Sequence, residues 1–543
     1  MNRRIRWKLF TYVPFLIALL VIGLIQSYLL ANETVQPFPE PFGRATELPQ
    51  QTSVGEAVQV VGDHAFAYKS GQSLAYVNLD EVGQSHTETR PLPDNGEFHA
   101  YQLIGQDKVI WIGEGNQLFT SVWQNGTWSS KIGLIEQKIT NVRTVIGLHG
   151  EVVLLANNAS ALYVGAFQTK DKISWTRLEI ADIVQMHGVM DTSGSLSLVY
   201  EVKKEGNVAF HYAQLASPSW QPLVQKKLKE IDLVSSSVDE MALGRDGSTL
   251  LTAYTTSSRK SGKTILHMLS FPENQPENVQ DVIVNIPVSK GIESDTILHP
   301  AFIHSTSNEA SLVVSSVYEK NRRQTSQEVF KLDFEGGKMI ASNRISQFGG
   351  FAEYPTYISS GGNSFTMWLD SVNNESSRVY YATDQKPYVE EMNHLQAADL
   401  QKAAETLPLL WGIGLLTALL SFKWILLPGL YLVAVSIFWQ YHYDGHPKLH
   451  FGISLSMYLA VKALLINDYR KPLALQVMPD NLQAVWVHLI ILAGMAAITY
   501  MFTRFWRKGL NDRNVGLEML YFVLLDGFMT NLWYSFFMSP ASL

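Results

Sequence analysis

The sequence has no cysteine among its 543 residues. This absence excludes disulfide bonds, thiolate metal sites and thiol nucleophiles. Large ectodomains of animal secretory proteins usually carry disulfides, so a cysteine-free chain of this size favours a bacterial surface protein.

Motifs for catalysis and cofactor binding are also lacking. There is no HExxH, GxSxG, P-loop or dinucleotide fingerprint, and the nine histidines between residues 64 and 304 form no metal-ligand pair. The segment LGRDGS at 243–248 has the start of a calcium loop but none of its further oxygen ligands, so it indicates a turn. We therefore predict no metal, no cofactor and no catalytic residue, and the sequence does not identify an enzyme.

Acidic residues outnumber basic ones only in the middle of the chain. Residues 32–406 hold 29 of the 42 Lys and Arg but 43 of the 49 Asp and Glu. A net charge of −14 repels nucleic acid, so we predict no nucleic-acid partner. Residues 1–31, in contrast, carry four cations and no acid.

A long hydrophobic run follows that basic tail. Residues 10–30 form 21 positions without a charge, enough for a helix to cross a hydrocarbon layer of ~30 Å. The basic tail predicts a cytoplasmic N-terminus, with residues 32–406 extracellular. The run is longer than a signal-peptide core and ends in a poor cleavage site, so we interpret it as a retained anchor.

Residues 407–543 contain five further apolar runs, namely 407–422, 424–440, 451–467, 482–502 and 515–537. Five crossings give six helices with the anchor. A single crossing by 407–440 gives four C-terminal helices and places the basic residues near 504–513 inside. Length favours five crossings, because 34 apolar residues are too many for one span, whereas charge favours four. We predict a transmembrane bundle of four or five helices.

Five polar residues fall at membrane depth in these runs: Lys462, His488, Glu518, Asp526 and Asn531. A charge in hydrocarbon is costly and is normally paired or faces a cavity, so these are the candidate functional residues of the bundle. We expect Asp526 to contact Lys462 or His488. The alternative is that such a contact only holds helices together, and Lys462 and His488 could instead extend towards the lipid headgroups.

The middle region consists of alternating apolar runs joined by Gly, Asp or Asn turns. Seven such hairpins begin at residues 64, 108, 151, 195, 248, 310 and 364. The first three intervals are 44, 43 and 44 residues, the period of a four-stranded propeller blade, and the later ones are longer. One hairpin cannot bury its apolar face alone, but a ring of seven can.

In this pattern residues 55–387 resemble the general β-propeller class, which implies an all-β domain of about seven blades. A repeated Trp-Asp dipeptide is absent, and the sialidase Asp-box has only a poor echo at 245–249. The alternatives are a pair of β-sandwiches or a solenoid. Propellers bind ligands on loops at one end of their channel, so four tryptophans in connecting segments are candidate ligand contacts: Trp123, Trp128, Trp175 and Trp220. The alternative is that they fill gaps between blades.

The sequence thus predicts five segments: a basic tail and transmembrane anchor (1–31), a Pro-rich linker (32–54), a propeller-like extracellular domain (55–387), a helical stalk (388–406) and a C-terminal transmembrane bundle (407–543). The fold class is a multi-domain membrane protein with an all-β ectodomain and an all-α bundle. We predict a multi-pass protein of the bacterial cell membrane, whose propeller binds a cell-wall, sugar or peptide ligand or a membrane-protein partner. The bundle, within the lipid bilayer, anchors the protein or relays a signal. The alternative is a membrane enzyme or transporter whose site lies among the polar bundle residues.

Overall fold

A computed structural model of the protein describes residues 3–94, 98–147, 150–169, 172–204, 206–289, 292–294, 296–303, 310–321, 324–347, 349–373, 375–417, 422–470, 474–475, 478–508 and 514–538. The chain divides into two compact units. The strand unit contains Pro37–Glu319 and Thr325–His394, and the helical unit contains Met1–Gln36 and Leu395–Leu543.

The strand unit is a seven-bladed β-propeller, and its blades are antiparallel sheets. Counted outwards from the central channel, the strands are β3 (Gln59–Gly62), β4 (Ala65–Ser70), β5 (Ser73–Leu79) and β6 (Ser85–Pro91) in blade 1; β7 (Tyr101–Ile104), β8 (Lys108–Ile112), β9 (Leu118–Gln124) and, at the edge, β10 (Thr127–Trp128) and β11 (Ile132–Ile135) in blade 2; and β12 (Asn141–Ile146), β13 (Val152–Asn157), β14 (Leu162–Thr169) and β15 (Lys172–Leu178) in blade 3. They continue with β16 (Ile183–Met190), β17 (Leu196–Lys204), β18 (Asn207–Ala216) and β19 (Gln221–Asp232) in blade 4; β20 (Ser236–Asp246), β21 (Thr249–Ser258), β22 (Thr264–Pro272) and β23 (Gln280–Val284) in blade 5; and β26 (Ile297–Phe302), β27 (Ala310–Asn321), β28 (Gln324–Glu335) and β29 (Lys338–Arg344) in blade 6. Blade 7 is β30 (Glu353–Ser360), β31 (Asn363–Ser371), β32 (Ser376–Thr383) and β1 (Thr46–Glu47), while β24 (Ile286–Ser289) and β25 (Ile292–Ser294) form a separate hairpin after blade 5.

The predicted propeller is therefore confirmed, and the seven predicted hairpins are the second and third strands of the seven blades. These strands are apolar on both faces because each blade is covered by a blade on either side. In β17, for example, Tyr200 packs in the core with Val164 of blade 3, whereas Val199 packs in the core with Tyr254 of blade 5. Alternating side chains of one strand thus enter two different cores.

The ring closes through a strand from the N-terminal side of blade 1. The innermost strands contact one another in sequence, β3, β7, β12, β16, β20, β26 and β30, and β30 contacts β3. Thr46 and Glu47 of β1 pair with Tyr381 and Tyr380 of β32, and β2 (Thr52–Ser53) also pairs with β32. Residues 46–53, which the sequence predicts to be linker, therefore supply the outermost strand of the last blade and close the ring.

The helical unit contains α1 (Arg3–Val35), α3 (Ala397–Thr417), α4 (Phe422–Phe438), α5 (Gln440–Gly445), α6 (Pro447–Leu464), α7 (Val485–Arg507) and α8 (Val515–Met538), whereas the short α2 (Lys386–Met392) belongs to the strand unit. Two single-turn 3₁₀ helices, Ile466–Tyr469 and Asp480–Leu482, lie between α6 and α7. Helix α8 is central, since α1, α3, α6 and α7 all pack against it. In the most apolar 18-residue stretch between Val515 and Phe537, 67% of the residues are buried, whereas in the corresponding stretches of α1 and α7 28% are buried.

Three helical segments in the described part of the chain are long and apolar enough to cross a membrane: Leu16–Val35, Val485–Arg507 and Val515–Phe537. The apolar stretch Lys423–Phe438 is shorter. The number of crossings stays a prediction, because helix length and composition do not place a helix in a bilayer.

Candidate functional site

The most deeply buried charges of the helical unit form one ion pair. Lys462 on α6 places Nζ 2.5 Å from Oδ2 of Asp526 on α8, and their side chains are 1% and 0% exposed. This is one of the two contacts that the sequence predicts for Asp526. The pair forms because α6 and α8 pack side by side, which brings the two charges to the same depth.

Polar and aromatic side chains complete the surroundings of this pair. The Tyr458 hydroxyl donates to Asp526 Oδ2 at 2.7 Å, and Lys462 Nζ donates to Thr530 Oγ1 at 2.7 Å. The Lys462 ammonium also lies 5.4 Å from the ring centroid of Trp424, at cation–π distance. Asp526 Oδ1 is buried and has no hydrogen-bond partner among the described residues. Buried polar atoms are nearly always hydrogen-bonded in folded proteins, so this oxygen is an exception that suggests a functional role.

The other three polar candidates do not join this pair. His488 Nδ1 lies 2.9 Å from the Tyr534 hydroxyl, and Asn531 Oδ1 accepts from the Tyr469 hydroxyl at 3.1 Å. Glu518 pairs with Arg507 Nε at 3.0 Å, near the opposite end of α8. A functional role for the five residues stays a prediction.

Sequence reasoning missed Tyr458 and Thr530, although a signal for both is present. Tyr458 precedes Lys462 by four residues, and Thr530 follows Asp526 by four, so each polar pair lies on one helix face. Two polar i,i+4 pairs on apolar helices are a pattern that predicts a shared interhelical network.

The four candidate tryptophans lie towards the outer edges of their blades. Trp123 and Trp128 contact each other with ring centroids 5.1 Å apart, and Trp128 Nε1 donates to the Pro91 carbonyl of blade 1 at 2.6 Å. Trp175 Nε1 donates to the Leu134 carbonyl of blade 2 at 2.9 Å. Trp220 is buried in the core between blades 3 and 4.

The structure therefore brings Trp123 and Trp128 together but not Trp175 or Trp220. Trp128, Trp175 and Trp220 are 47 and 45 residues apart, which is close to the blade period. These three tryptophans recur with the repeat, and each contacts the preceding blade. This arrangement fits the alternative that they fill gaps between blades. Ligand stacking on these rings stays a prediction.

A second polar cluster, which sequence reasoning missed, lies at one end of the propeller channel. Glu240, His299 and Tyr354 come from the innermost strands of blades 5, 6 and 7. The His299 backbone N–H donates to Glu240 Oε2 at 2.7 Å, and His299 Nδ1 lies 2.6 Å from Glu240 Oε1. The Tyr354 ring lies 4.0 Å from the His299 ring, centroid to centroid. We call these three residues the channel-end cluster.

All three residues sit in irregularities of strand pairing. The register shifts between Val238 and Met241, between Leu298 and Ala301, and between Glu353 and Thr356, each time within the first six residues of an inner strand. The inner strands occupy equivalent places in successive blades, so these three irregularities lie towards the end of the channel where β20 and β30 begin.

The backbone of this cluster is strained. His299 has φ +53° and Tyr354 has φ +48°, in the left-handed region that bulky residues rarely adopt. Each such residue costs on the order of 1–3 kcal/mol, and such strain concentrates at binding and active sites.

Burial perturbs two acidic groups near the cluster. It raises the pKa of Tyr354, and the carboxylates of Glu240 and Glu353 raise it further. Glu201, paired with Gln185 across two strands of blade 4, is 2% exposed, and its Oε2 has no partner among the described residues. Burial raises the pKa of Glu201 to about 7, and Asp239 adds to this rise while Lys203 opposes it. Burial therefore favours the protonated form of this carboxyl.

Neither cluster offers a metal site. Within the described ranges, no group of three His, Cys, Asp or Glu residues could hold a metal ion. The imidazole of His299 instead suits hydrogen bonding. In the neutral tautomer that donates from Nδ1 to the Glu240 carboxylate, Nε2 is a hydrogen-bond acceptor.

Comparisons with known proteins assign neither a family nor an activity to the chain. No family model matches the chain, and no curated protein matches it. A catalytically inactive variant of virginiamycin B lyase from Staphylococcus aureus with quinupristin is 10% identical, with a TM-score of 0.36, over 63% of this chain and 98% of that one. An ulvan lyase of a new polysaccharide lyase family, bound to GlcA(1-4)Rha3S, is 9% identical, with a TM-score of 0.41, over 62% of this chain and 95% of that one.

Proposed function

We propose that the protein is a bacterial membrane protein whose extracellular propeller binds a ligand at the channel-end cluster. Its helices cross the cell membrane and serve as anchor or signal relay, with the N-terminus in the cytoplasm. The observation that carries the proposal is His299, which Glu240 contacts at both its backbone N–H and its ring, and whose backbone conformation is strained.

The chemistry of the cluster favours a ligand rich in hydrogen-bond donors. His299 Nε2 and the nearby carboxylates are acceptors, and Tyr354 presents an aromatic face. Hydroxyl groups of sugars and amines of peptides or cell-wall fragments supply such donors, and a sugar ring stacks on an aromatic face. The negative charge of residues 32–406 favours cationic or neutral ligands over anionic ones.

Ligand binding is tested on the full chain in detergent micelles. Its unfolding temperature is measured against cell-wall fragments, neutral and amino oligosaccharides, and cationic peptides, since a ligand specific for the folded state raises it. We expect a concentration-dependent rise that Tyr354→Phe and His299→Gln reduce.

The matched control for His299→Gln is His86→Gln. His86 also pairs with a carboxylate, Asp80, at 3.2 Å, but it lies on the outermost strand of blade 1 and is exposed. A rise that both histidine variants abolish equally, or one that no compound produces, contradicts binding at the channel-end cluster.

The extracellular position of the propeller has its own test. Because the chain has no cysteine, Lys260→Cys creates a single thiol in an exposed turn between β21 and β22. We expect a membrane-impermeant maleimide to label this thiol on intact cells. Protection on intact cells, with labelling after lysis, would place the propeller inside.

A second candidate function rests on the buried pair in the helices. A carboxylate with one unpartnered oxygen, beside a lysine and a tyrosine, can exchange protons, which favours a proton-linked transporter or membrane enzyme. Proteoliposomes containing a pH-sensitive dye test this function. A proton flux that Asp526→Asn abolishes would support it over anchoring.

A further inference from the structure

A cavity near one end of the helical unit differs from both sites described above. Its volume is about 200 Å³. The lining residues come from the first turns of α6, the last turns of α7 and the first turn of α8: Lys448, Phe451, Tyr500, Thr503, Arg504, Arg507 and Glu518. Three of these seven side chains are cationic and one is acidic.

The charges of the cavity do not cancel. Glu518 is buried and pairs with Arg507, which leaves Lys448 and Arg504 as the excess cations. Both are exposed, and neither forms an ion pair with a carboxylate of the described residues. Arg504 donates only to the Tyr500 hydroxyl, at 3.5 Å. Within the part of the chain that the structure describes, two cations at the cavity thus have no carboxylate in ion-pair contact, and together they attract an anion.

The start of α6 adds a dipole to this positive charge. Helix α6 begins at Pro447, which has no N–H, and no side chain caps its N-terminus. The N–H groups of Leu449 and His450 donate to the His446 carbonyl at 3.0 and 3.3 Å, so the helix contributes mainly the positive end of its dipole. The dipole and the Lys448 ammonium both attract the oxygens of a phosphate group.

The surroundings of the cavity suit a lipid more than a free anion. Tyr500 and Phe505 on α7, and Leu517 and Leu520 on α8, are exposed large apolar side chains close to the cavity in sequence. Trp506 stacks on Tyr521 at 4.6 Å, as aromatic pairs do at the headgroup level of a bilayer. Cations beside apolar helix surfaces match a ligand that has an anionic head and apolar tails.

We propose that this cavity binds the phosphate of an anionic phospholipid such as phosphatidylglycerol, with Lys448 and Arg504 as its main contacts. The inference rests on the membrane location proposed above but not on ligand binding by the propeller. It assigns a function to basic residues that otherwise serve only to predict the orientation of the helices in the membrane.

The test uses the full chain, purified in a zwitterionic detergent. Dioleoylphosphatidylglycerol or dioleoylphosphatidylcholine is added, and bound lipid is counted by native mass spectrometry. We expect preferential binding of phosphatidylglycerol, and about five-fold weaker binding in Lys448→Gln or Arg504→Gln, the size expected for one basic residue at a headgroup.

The matched control is Lys508→Gln, which removes the same charge from an exposed residue just outside the cavity. It should bind phosphatidylglycerol like the unaltered protein. An equal loss in Lys508→Gln would show diffuse attraction and overturn the site, as would equal binding of the two lipids.

Inorganic phosphate separates the two sources of the anion. If phosphate alone raises the unfolding temperature as much as phosphatidylglycerol does, and Lys448→Gln abolishes both effects, the cavity binds free phosphate and the lipid assignment is wrong. Failure of the membrane proposal would appear separately, as protein released from membranes by an alkaline carbonate wash.

Discussion

Arg177 and Glu179 in the propeller form an ion pair at 3.3 Å, and Lys462 and Asp526 in the helical unit form one at 2.5 Å. The first pair is 54% and 74% exposed, whereas the second is 1% and 0% exposed. Water solvates the first pair with or without its partner. In the second pair each charge depends on the other, because removing one leaves an uncompensated buried ion.

The two units also hold their elements together differently. In the propeller the apolar contacts repeat from blade to blade, so the apolar packing is divided among separate cores arranged in a ring. In the helical unit one core surrounds α8, and the buried Lys462–Asp526 pair lies within it. Damage at a single position should therefore be more severe in the helices than in the propeller, and the following changes test that difference.

The largest effect is expected for Asp526→Leu. Leaving Lys462 buried without its partner should cost about 3–5 kcal/mol and reduce the yield of folded protein. Adding Lys462→Met should recover most of this loss, since an apolar pair of similar volume needs no counter-charge. Unfolding temperature and the monodisperse fraction in detergent measure both variants. A double variant no better than Asp526→Leu alone would contradict the argument.

Glu201 brings the same principle into the propeller, where one oxygen of a buried carboxyl has no hydrogen-bond partner among the described residues. Its folded-state pKa of about 7 lies above the ordinary 4.5, so the folded state binds this proton more tightly than the unfolded state does. The stability that this proton confers is present below about pH 4.5 and is lost as the pH rises through 7. At pH 8, Glu201→Gln should therefore be more stable than the unaltered protein, by up to about 3 kcal/mol.

The measurement for Glu201 is the unfolding temperature of both proteins from pH 4.5 to 8. The difference should be small at the acidic end and should grow towards pH 8. Glu179→Gln, an exposed carboxylate, is the control and should give a curve parallel to that of the unaltered protein. Parallel curves for Glu201→Gln as well would mean that the folded state does not hold this proton.

A smaller effect is expected where two inner strands of the propeller approach closely. A Cβ added to Gly244 on β20 would lie 2.3 Å from the Phe302 ring on β26. Gly244→Ala should cost about 1–3 kcal/mol, because the aromatic ring and one strand must shift. Gly133→Ala, which meets nothing within 4 Å, is the control. Equal unfolding temperatures of the two variants would show that blades 5 and 6 adjust freely.

The smallest effect is expected for Arg177→Ala. Exposed ion pairs contribute about 0.2–1 kcal/mol, so the unfolding temperature should stay nearly constant in low and in high salt. A loss comparable to that of Asp526→Leu would contradict the comparison between the two units.

The propeller could be predicted because the second and third strands of each blade have a recognisable sequence pattern. They are apolar on both faces and joined by short turns, and they recur at the blade period. The outer strands carry a weaker pattern, since β19 has mostly exposed or half-buried residues. The closing strand β1 could not be predicted, because it has two residues and pairs with a strand more than 330 positions away.

The candidate sites were predicted unequally. Charges within apolar runs stand out in a sequence, so Lys462 and Asp526 were found, and their contact was one of two named. Glu240, His299 and Tyr354 gave no signal, because they are 59 and 55 residues apart and meet only where three blades converge on the channel. The positive φ angles of His299 and Tyr354 are likewise invisible in residue types.

Local physics explains this division. The sequence by itself determined hairpins, apolar helices, the number of blades and the residues whose charge is costly to bury, because periodicity and hydrophobicity act over a few neighbouring positions. Only the tertiary structure decided which distant groups meet: β1 with β32, Lys462 with Asp526, and Glu240 with His299. Those contacts form only when elements that are far apart in the chain pack together. In the strands, a register shift of one residue would move each side chain to the other face of the sheet.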